Sequence, residues 1–407
     1  MNKKKLGLVL LWISNFFIIT LTVLFVIGNN SNYLISEFLN RIILTFLIIF
    51  ILVLLYSVYL LIRFKKKTIF KKWKTVVVSV LLSIYLVGCS SFVFVLYGPV
   101  KNFREWLITT AMATMNHQYY CKWFYSSDTI KEVLGDNYIK DFDEDTDSSL
   151  IDKVEKPVVE YKNEFEKAIL EREENADYKI INFTLNGCKA YLAAVYDPSK
   201  VKVGVSKGLR KYGRYAADIA KDNKAILAIN GGGFWDPGYN SNGSTPIGVT
   251  IKDSKIITDN ENGTTGGVIG MTHDNVLVLL NNKGANEALK LGVRDAVSMN
   301  PFLIVNGKNA FTRGNGGWGY AARTAIGQRK DGIVLFLVVD SNEFRTKGAS
   351  MVDLTEIMAN YGAINAANLD GGTSSVMVVD GKMINDPIDS TLAHQTRGIP
   401  TIFMVTK

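Results

Sequence analysis

The chain has 407 residues, 48% of them hydrophobic, and a formal net charge of +8. Residues 1–74 carry a net +10 and the remainder a net −2, so the basic balance marks the N-terminal segment and is no nucleic-acid footprint; no nucleic-acid partner is expected. Three cysteines fit no metal-ligand spacing, and three histidines supply a histidine triad poorly.

In chain order, the apolar excess comes first. Residues 6–28, 42–62 and 75–97 lack Asp, Glu, Lys and Arg, and each is about the 20 residues a helix needs to cross a bilayer. They predict three transmembrane helices within residues 1–97. Lys3, Lys4 and Lys5 precede the first run, and Arg63, Lys65, Lys66, Lys67, Lys71, Lys72 and Lys74 separate the second from the third. Positive charge stays cytoplasmic. The expectation is a multi-pass cell-membrane protein in contact with membrane lipid, its N-terminus cytoplasmic and its C-terminal domain extracytoplasmic.

Residues 98–177 read as a juxtamembrane helix followed by a charged stalk, with His117 as a packing or capping residue. Cys121 and Cys188 lie beyond the last run, and whether they pair stays open.

From residue 178 short strands alternate with turn chemistry, predicting an α+β domain around a mixed sheet over 178–407. "VTIKDSKIIT", "FLIVNGKNAF" and "VMVVDGKMIN" read as hairpins, the last two turning at Asn306-Gly307 and Asp380-Gly381. "GIVLFLVVD" is apolar throughout, as for a central strand buried on both faces. Ser350 caps a helix with Asp353 three residues on, and Gly362 closes it.

Three strands end on a polar residue. "AILAIN" ends at Asn230 and runs into Gly231, Gly232 and Gly233; "GIVLFLVVD" ends at Asp340; "INAANLD" ends at Asp370 and runs into Gly371 and Gly372. A sheet holds such side chains rigidly while leaving them reachable, and adjacent glycines let backbone N–H groups cradle an anion. Ser374 and Ser375 add hydroxyls. Arg323, followed by Thr324, opens another apolar strand, where a guanidinium fork can take a phosphate. Together these residues supply the parts of an anion-binding acid site. No GxSxG elbow, HExxH or GxxxxGK[ST] appears.

"NGGGF" at 230–234, "RTAIG" at 323–327, the strand ending in Asp340 and "NLDGG" at 368–372 occur in the order seen in phosphodiester glycosidases, and the region from 178 to 407 resembles that family. The front segment, with "TTAMATMNHQYY", is similar to membrane-anchored bacterial relatives described as exopolysaccharide-biosynthesis proteins. The resemblance implies hydrolysis of sugar-1-phosphodiester linkages in cell-surface glycans or teichoic-type polymers. Asp370 is then the carboxylate near the anomeric carbon and Asp340 its catalytic partner or orienting group. Asn230, Gly231, Gly232, Arg323, Thr324, Gly371, Gly372, Ser374 and Ser375 bind the substrate. This chain departs from the family pattern at Ser341-Asn342-Glu343 and at Thr373, where relatives commonly carry glycine. The sequence specifies no cofactor, and hard oxygen ligands would admit Ca²⁺ or Mg²⁺ between the two aspartates. Two other readings fit the same residues: a non-catalytic polymer-binding or assembly module, and a glycan transferase.

Overall fold

The computed structural model describes residues 3–30, scattered positions between 46 and 97, and residues 101–113, 118–152, 160–235, 242–260, 263, 266–389 and 391–407. The chain divides into two compact units, Met1–Asp136 and Asn137–Lys407.

In the first unit, helix Lys3–Asn30 contains the first of the three apolar runs. Among the described residues no helix is long and apolar enough to cross a membrane. The three-span anchor, the multi-pass membrane placement with its extracytoplasmic domain, and the membrane-lipid partner therefore do not stand. The expectation rests on the run's length and its lack of formal charge. Ser14, Asn15, Thr20 and Thr22 interrupt it, and each bonds back to a carbonyl three or four residues earlier in the same helix. About half of the second run, over half of the third, and His117 lie outside the described residues. Helices Lys101–Met112, Gln118–Phe124 and Ser127–Asp136 pack around Ile108, Cys121, Tyr125, Ile130 and Val133. Cys121 and Cys188 are both buried free thiols.

The second unit is built from sheets. A seven-stranded sheet runs in the order Lys308–Asn309, Phe302–Val305, Ala363–Asn368, Arg323–Arg329, Val334–Val339, Cys188–Val195, Tyr178–Leu185. A five-stranded sheet runs Lys382–Met383, Met377–Val379, Ala225–Asn230, Thr401–Thr406, Val201–Val205. A second five-stranded sheet is formed by strands between Val249 and Ser298. Pairings between the named strands of all three are antiparallel.

Val334–Val339 is buried along its whole length, as its unbroken apolar run requires. Phe336 and Val338 face a core shared with Leu227, Ile229 and Phe403 of the first five-stranded sheet. Leu335 and Leu337 face the opposite core, covered by helix Met351–Asn360 and by Ile169. That helix starts with a reciprocal cap: Ser350 Oγ accepts from the Asp353 N–H at 3.2 Å, and the Ser350 N–H donates to the Asp353 carboxylate at 2.7 Å. The hairpins at Asn306-Gly307 and Asp380-Gly381 have left-handed backbone at both turn residues, the geometry that matches strand twist in a two-residue turn.

Part of the segment read as a stalk is built into this unit. Tyr138–Ile139 pairs with Thr312–Arg313, the Asp145 carboxylate accepts from the Asn281 N–H at 2.8 Å, and Ile169 is fully buried.

Candidate active site

Strand order brings three predicted residues to one end of the seven-stranded sheet. Arg323 opens the strand that lies between Val334–Val339 and Ala363–Asn368. Its register partner is Val339, one residue before Asp340, while Ala325 pairs with Asn368, two residues before Asp370. The chain after Asn368 keeps alongside: the Leu369 N–H donates to the Thr324 carbonyl and the Gly372 N–H to the Ala322 carbonyl, both at 2.8 Å.

Asn230 comes from the other sheet and ties this end together. Fully buried, it donates to the Asp370 carbonyl at 2.7 Å and accepts from Thr324 Oγ1 at 2.7 Å and from the Val376 N–H at 3.1 Å. Asn230 and Thr324 thus hold the acidic turn in place, with their hydrogen-bonding groups engaged inside the protein.

The glycines serve close packing more than anion cradling. The Gly231 and Gly233 N–H groups donate to the Thr401 and Ser298 carbonyls, and the Asp370 N–H donates to the Gly231 carbonyl. A Cβ on Gly231 would stand 2.9 Å from the Thr401 backbone, and one on Gly232 would stand 2.5 Å from the Ser298 carbonyl oxygen. Gly371 leaves room for Arg323: a Cβ there would meet Nη1 at 3.4 Å. Its own N–H donates to Asp370 Oδ1 at 2.9 Å.

Asp370 Oδ2 is buried and, among the described residues, accepts no hydrogen bond, which leaves it the freer oxygen of the carboxylate. Three guanidinium groups surround its turn. Arg323 is buried; its Nε and Nη2 donate to the carbonyls of Ala349, Trp318 and Gly319. Burial brings its pKa down to about 10, against the opposing pull of Asp370. Arg397 donates from Nε to Ser374 Oγ at 2.9 Å, places Nη2 3.7 Å from Asp370 Oδ2, and lies over the Phe234 ring at 4.4 Å. Arg345 brings Nη2 to 3.7 Å from where a Gly372 side chain would begin. Burial lowers its pKa, Asp389 raises it, and the like charge of Arg397 lowers it again.

Sequence reasoning missed Arg345 and Arg397. Arg397 carried the same signal as Arg323, a basic residue just before an apolar strand. Arg345 sits on the loop after Asp340, where the chain departs from the family pattern, and it takes up a left-handed backbone.

Asp340 lies at the same sheet end but its oxygens are occupied. Oδ1 accepts from Asn385 at 2.8 Å and Oδ2 from the Asp386 N–H at 3.1 Å. Burial raises its pKa, and those two bonds oppose the rise. It reaches the acidic turn through Asn385, which also donates to the Ser375 carbonyl at 3.0 Å. Ser374 Oγ accepts from Arg397, whereas Ser375 Oγ is buried without a partner among the described residues. Among the described residues no group of three or more His, Cys, Asp or Glu side chains converges as a metal site.

What these parts define is an acid site on an arginine-lined turn, and comparison with known proteins gives it a family context. Residues 223–406 match the model of the phosphodiester glycosidase family. The SPbeta prophage-derived uncharacterized protein YomE of Bacillus subtilis is 31% identical over 179 residues, covering 42% of this chain and 27% of that protein. N-acetylglucosamine-1-phosphodiester alpha-N-acetylglucosaminidase of Bos taurus is 33% identical over 69 residues, 17% of this chain and 13% of that one. The chain thus spans 27% or less of the length of these curated relatives. Among solved structures, the zebrafish N-acetylglucosamine-1-phosphodiester alpha-N-acetylglucosaminidase catalytic domain auto-inhibited by its pro-peptide is similar at a TM-score of 0.48 and 21% identity. That likeness covers 59% of this chain and 87% of that one. These matches give no support to the finer expectation of a membrane-anchored exopolysaccharide-type member.

Proposed function

We propose that the domain hydrolyses the bond between an anomeric sugar carbon and a phosphodiester, within a phosphate-containing glycan or teichoic-type polymer. The observation that carries this reading is the buried Oδ2 of Asp370, which accepts no hydrogen bond among the described residues, on a turn flanked by Arg323, Arg345 and Arg397. A phosphate is already a competent leaving group, so the chemistry needs little protonation of the leaving oxygen. It needs neutralisation of the phosphate and a carboxylate beside the cationic sugar carbon. In the proposed step the C1–O bond breaks with its electron pair leaving on the phosphate, and water supplies hydroxyl to C1 and a proton to solution. The arginines hold the phosphate, and Asp370 Oδ2 faces the developing positive charge. Asp340 acts as a positioning residue, since both its oxygens hold Asn385 and Asp386.

The test is incubation of the full chain with a panel of nucleotide-sugars and alkyl sugar-1-phosphates, following free reducing sugar. Asp370→Asn is expected to abolish turnover while retaining binding. A wild-type chain that binds these compounds without releasing sugar is a polymer-binding module. Transfer of the sugar to an added alcohol in preference to water identifies a transferase.

A further inference from the structure

Beside the acid site lies a cavity of about 320 Å³ lined by Ile139, Asp141, Met299, Asn300, Pro301 and Trp318. We propose that it is a saccharide subsite, taking one pyranose unit of the substrate next to the phosphodiester; the placement rests on the function proposed above. Two of its walls are joined directly to the site. The Trp318 carbonyl accepts from Arg323 Nη2, and the Asn300 carbonyl accepts at 3.0 Å from the side chain of Asn368, two residues before Asp370.

The lining suits a sugar. Trp318, Ile139, Met299 and Pro301 supply the apolar part of the wall, and an indole is a residue type suited to the C–H side of a sugar ring. Asp141 is exposed and accepts from hydroxyl pairs; the Asn300 amide both donates and accepts. A few polar groups on a mostly apolar wall is the usual composition of a ligand pocket, and the volume lies at the small end of the range of about 300–1,000 Å³. That is room for a monosaccharide unit. An anion is disfavoured because the rim carries a carboxylate.

Trp318 is presented by a rigid loop. Gly316 and Gly317 have φ of +82° and +79°. A Cβ on Gly317 would strike the Asn137 carbonyl oxygen at 2.4 Å, and one on Gly316 would meet the Met351 side chain at 2.9 Å. The Asn315 N–H donates to Asn137 Oδ1 at 3.1 Å, and the Tyr138–Ile139 strand pairs with Thr312–Arg313. The loop is thus closed against the segment that supplies Ile139 and Asp141. Those two residues lie outside the 223–406 region that matches the family, so the family match does not account for this wall.

The experiment uses the full chain in two arms. In the first, saturation-transfer NMR is run with glucose, galactose and N-acetylglucosamine on wild type, Trp318→Ala and Asp141→Ala, with uridine and glycerol as controls. Transfer to at least one sugar in wild type, and its loss in both variants, is expected. Asp141 is exposed, so its variant reads the subsite even where Trp318→Ala perturbs packing. In the second arm, both variants are expected to raise KM for a hydrolysed sugar phosphodiester by about three- to tenfold with kcat within about twofold. Sugar binding lost in the variants without any wild-type hydrolysis would keep the subsite and remove the proposed reaction. Hydrolysis with KM unchanged in both variants, or saturation of uridine alone, would overturn the subsite and leave the reaction standing.

Discussion

Asn230 donates its side-chain amide to the main-chain carbonyl of Asp370 at 2.7 Å, joining residues 140 positions apart. The same side chain accepts from Thr324 and Val376, so one buried amide connects two sheets and the acidic turn. Asn230→Ala strands a carbonyl, a hydroxyl and an N–H together. Each buried orphan costs about 1–3 kcal/mol, so we expect a loss of about 3 kcal/mol or more. Urea unfolding measures it; a loss below about 1 kcal/mol would mean that water replaces the amide without penalty.

Arg397 is expected to govern phosphate affinity. Its fork spans Ser374 Oγ and the neighbourhood of Asp370 Oδ2 while the guanidinium lies over Phe234. Lysine keeps the charge but loses the fork and the flat face. Arg397→Ala should raise KM for a sugar phosphodiester about tenfold, and Arg397→Lys should recover only part of that loss. Full recovery by lysine would reduce the role to a point charge. Steady-state kinetics on the two variants decides it.

The core and the acid's surroundings were unevenly legible. The apolar run of Val334–Val339, the Ser350–Asp353 cap and the Asn306-Gly307 and Asp380-Gly381 turns are local patterns, and each formed as its chemistry dictates. Arg323 and Asp370 come to one end of the sheet because the first opens a strand and the second follows its antiparallel neighbour. The roles of Asn230 and Asp340 were not legible, because each is set by a partner far along the chain: Asp370 and Val376 for the first, Asn385 and Asp386 for the second. The glycines misled for a related reason. A glycine that admits a ligand and one that admits Thr401 look the same in sequence. At the N-terminus, length and absence of charge suggest a bilayer span, yet among the described residues no helix is long and apolar enough to cross one, and Ser14, Asn15, Thr20 and Thr22 interrupt the first run.

Two glycine substitutions separate close approach from backbone strain. At Gly231 an added Cβ would lie 2.5 Å from Thr401 Oγ1 and 2.9 Å from its backbone, where nothing can swing away. At Gly381 the Cβ enters open space, but φ is +77°. Gly381→Ala should cost about 1–2 kcal/mol through left-handed strain alone. Gly231→Ala should cost about 3 kcal/mol and displace the Asp370 turn, lowering activity as well. Equal effects on stability, with activity untouched in both, would contradict the packing account of Gly231. Thermal unfolding and turnover measured side by side make the comparison.

His394 gives the domain a pH-sensitive contact. Its Nδ1 lies 2.9 Å from both oxygens of Asp386, whose N–H holds Asp340. The bond with Asp386 raises the His394 pKa, Asp386 adds its charge, exposure leaves only slight opposition from desolvation, and Glu343 contributes further in the same direction. A histidine whose pKa is raised on folding binds its proton more tightly in the native state. Its contribution is therefore complete below the ordinary value of about 6.5 and disappears as pH rises through the raised value. NMR titration should find His394 above the ordinary histidine value in wild type and lower in Asp386→Asn. The stability difference between wild type and His394→Ala should narrow between about pH 5.5 and pH 8, by a small amount because the pair is exposed and screened. A difference that widens with pH would place the protonated form in repulsion with its surroundings, contrary to the Asp386 contact.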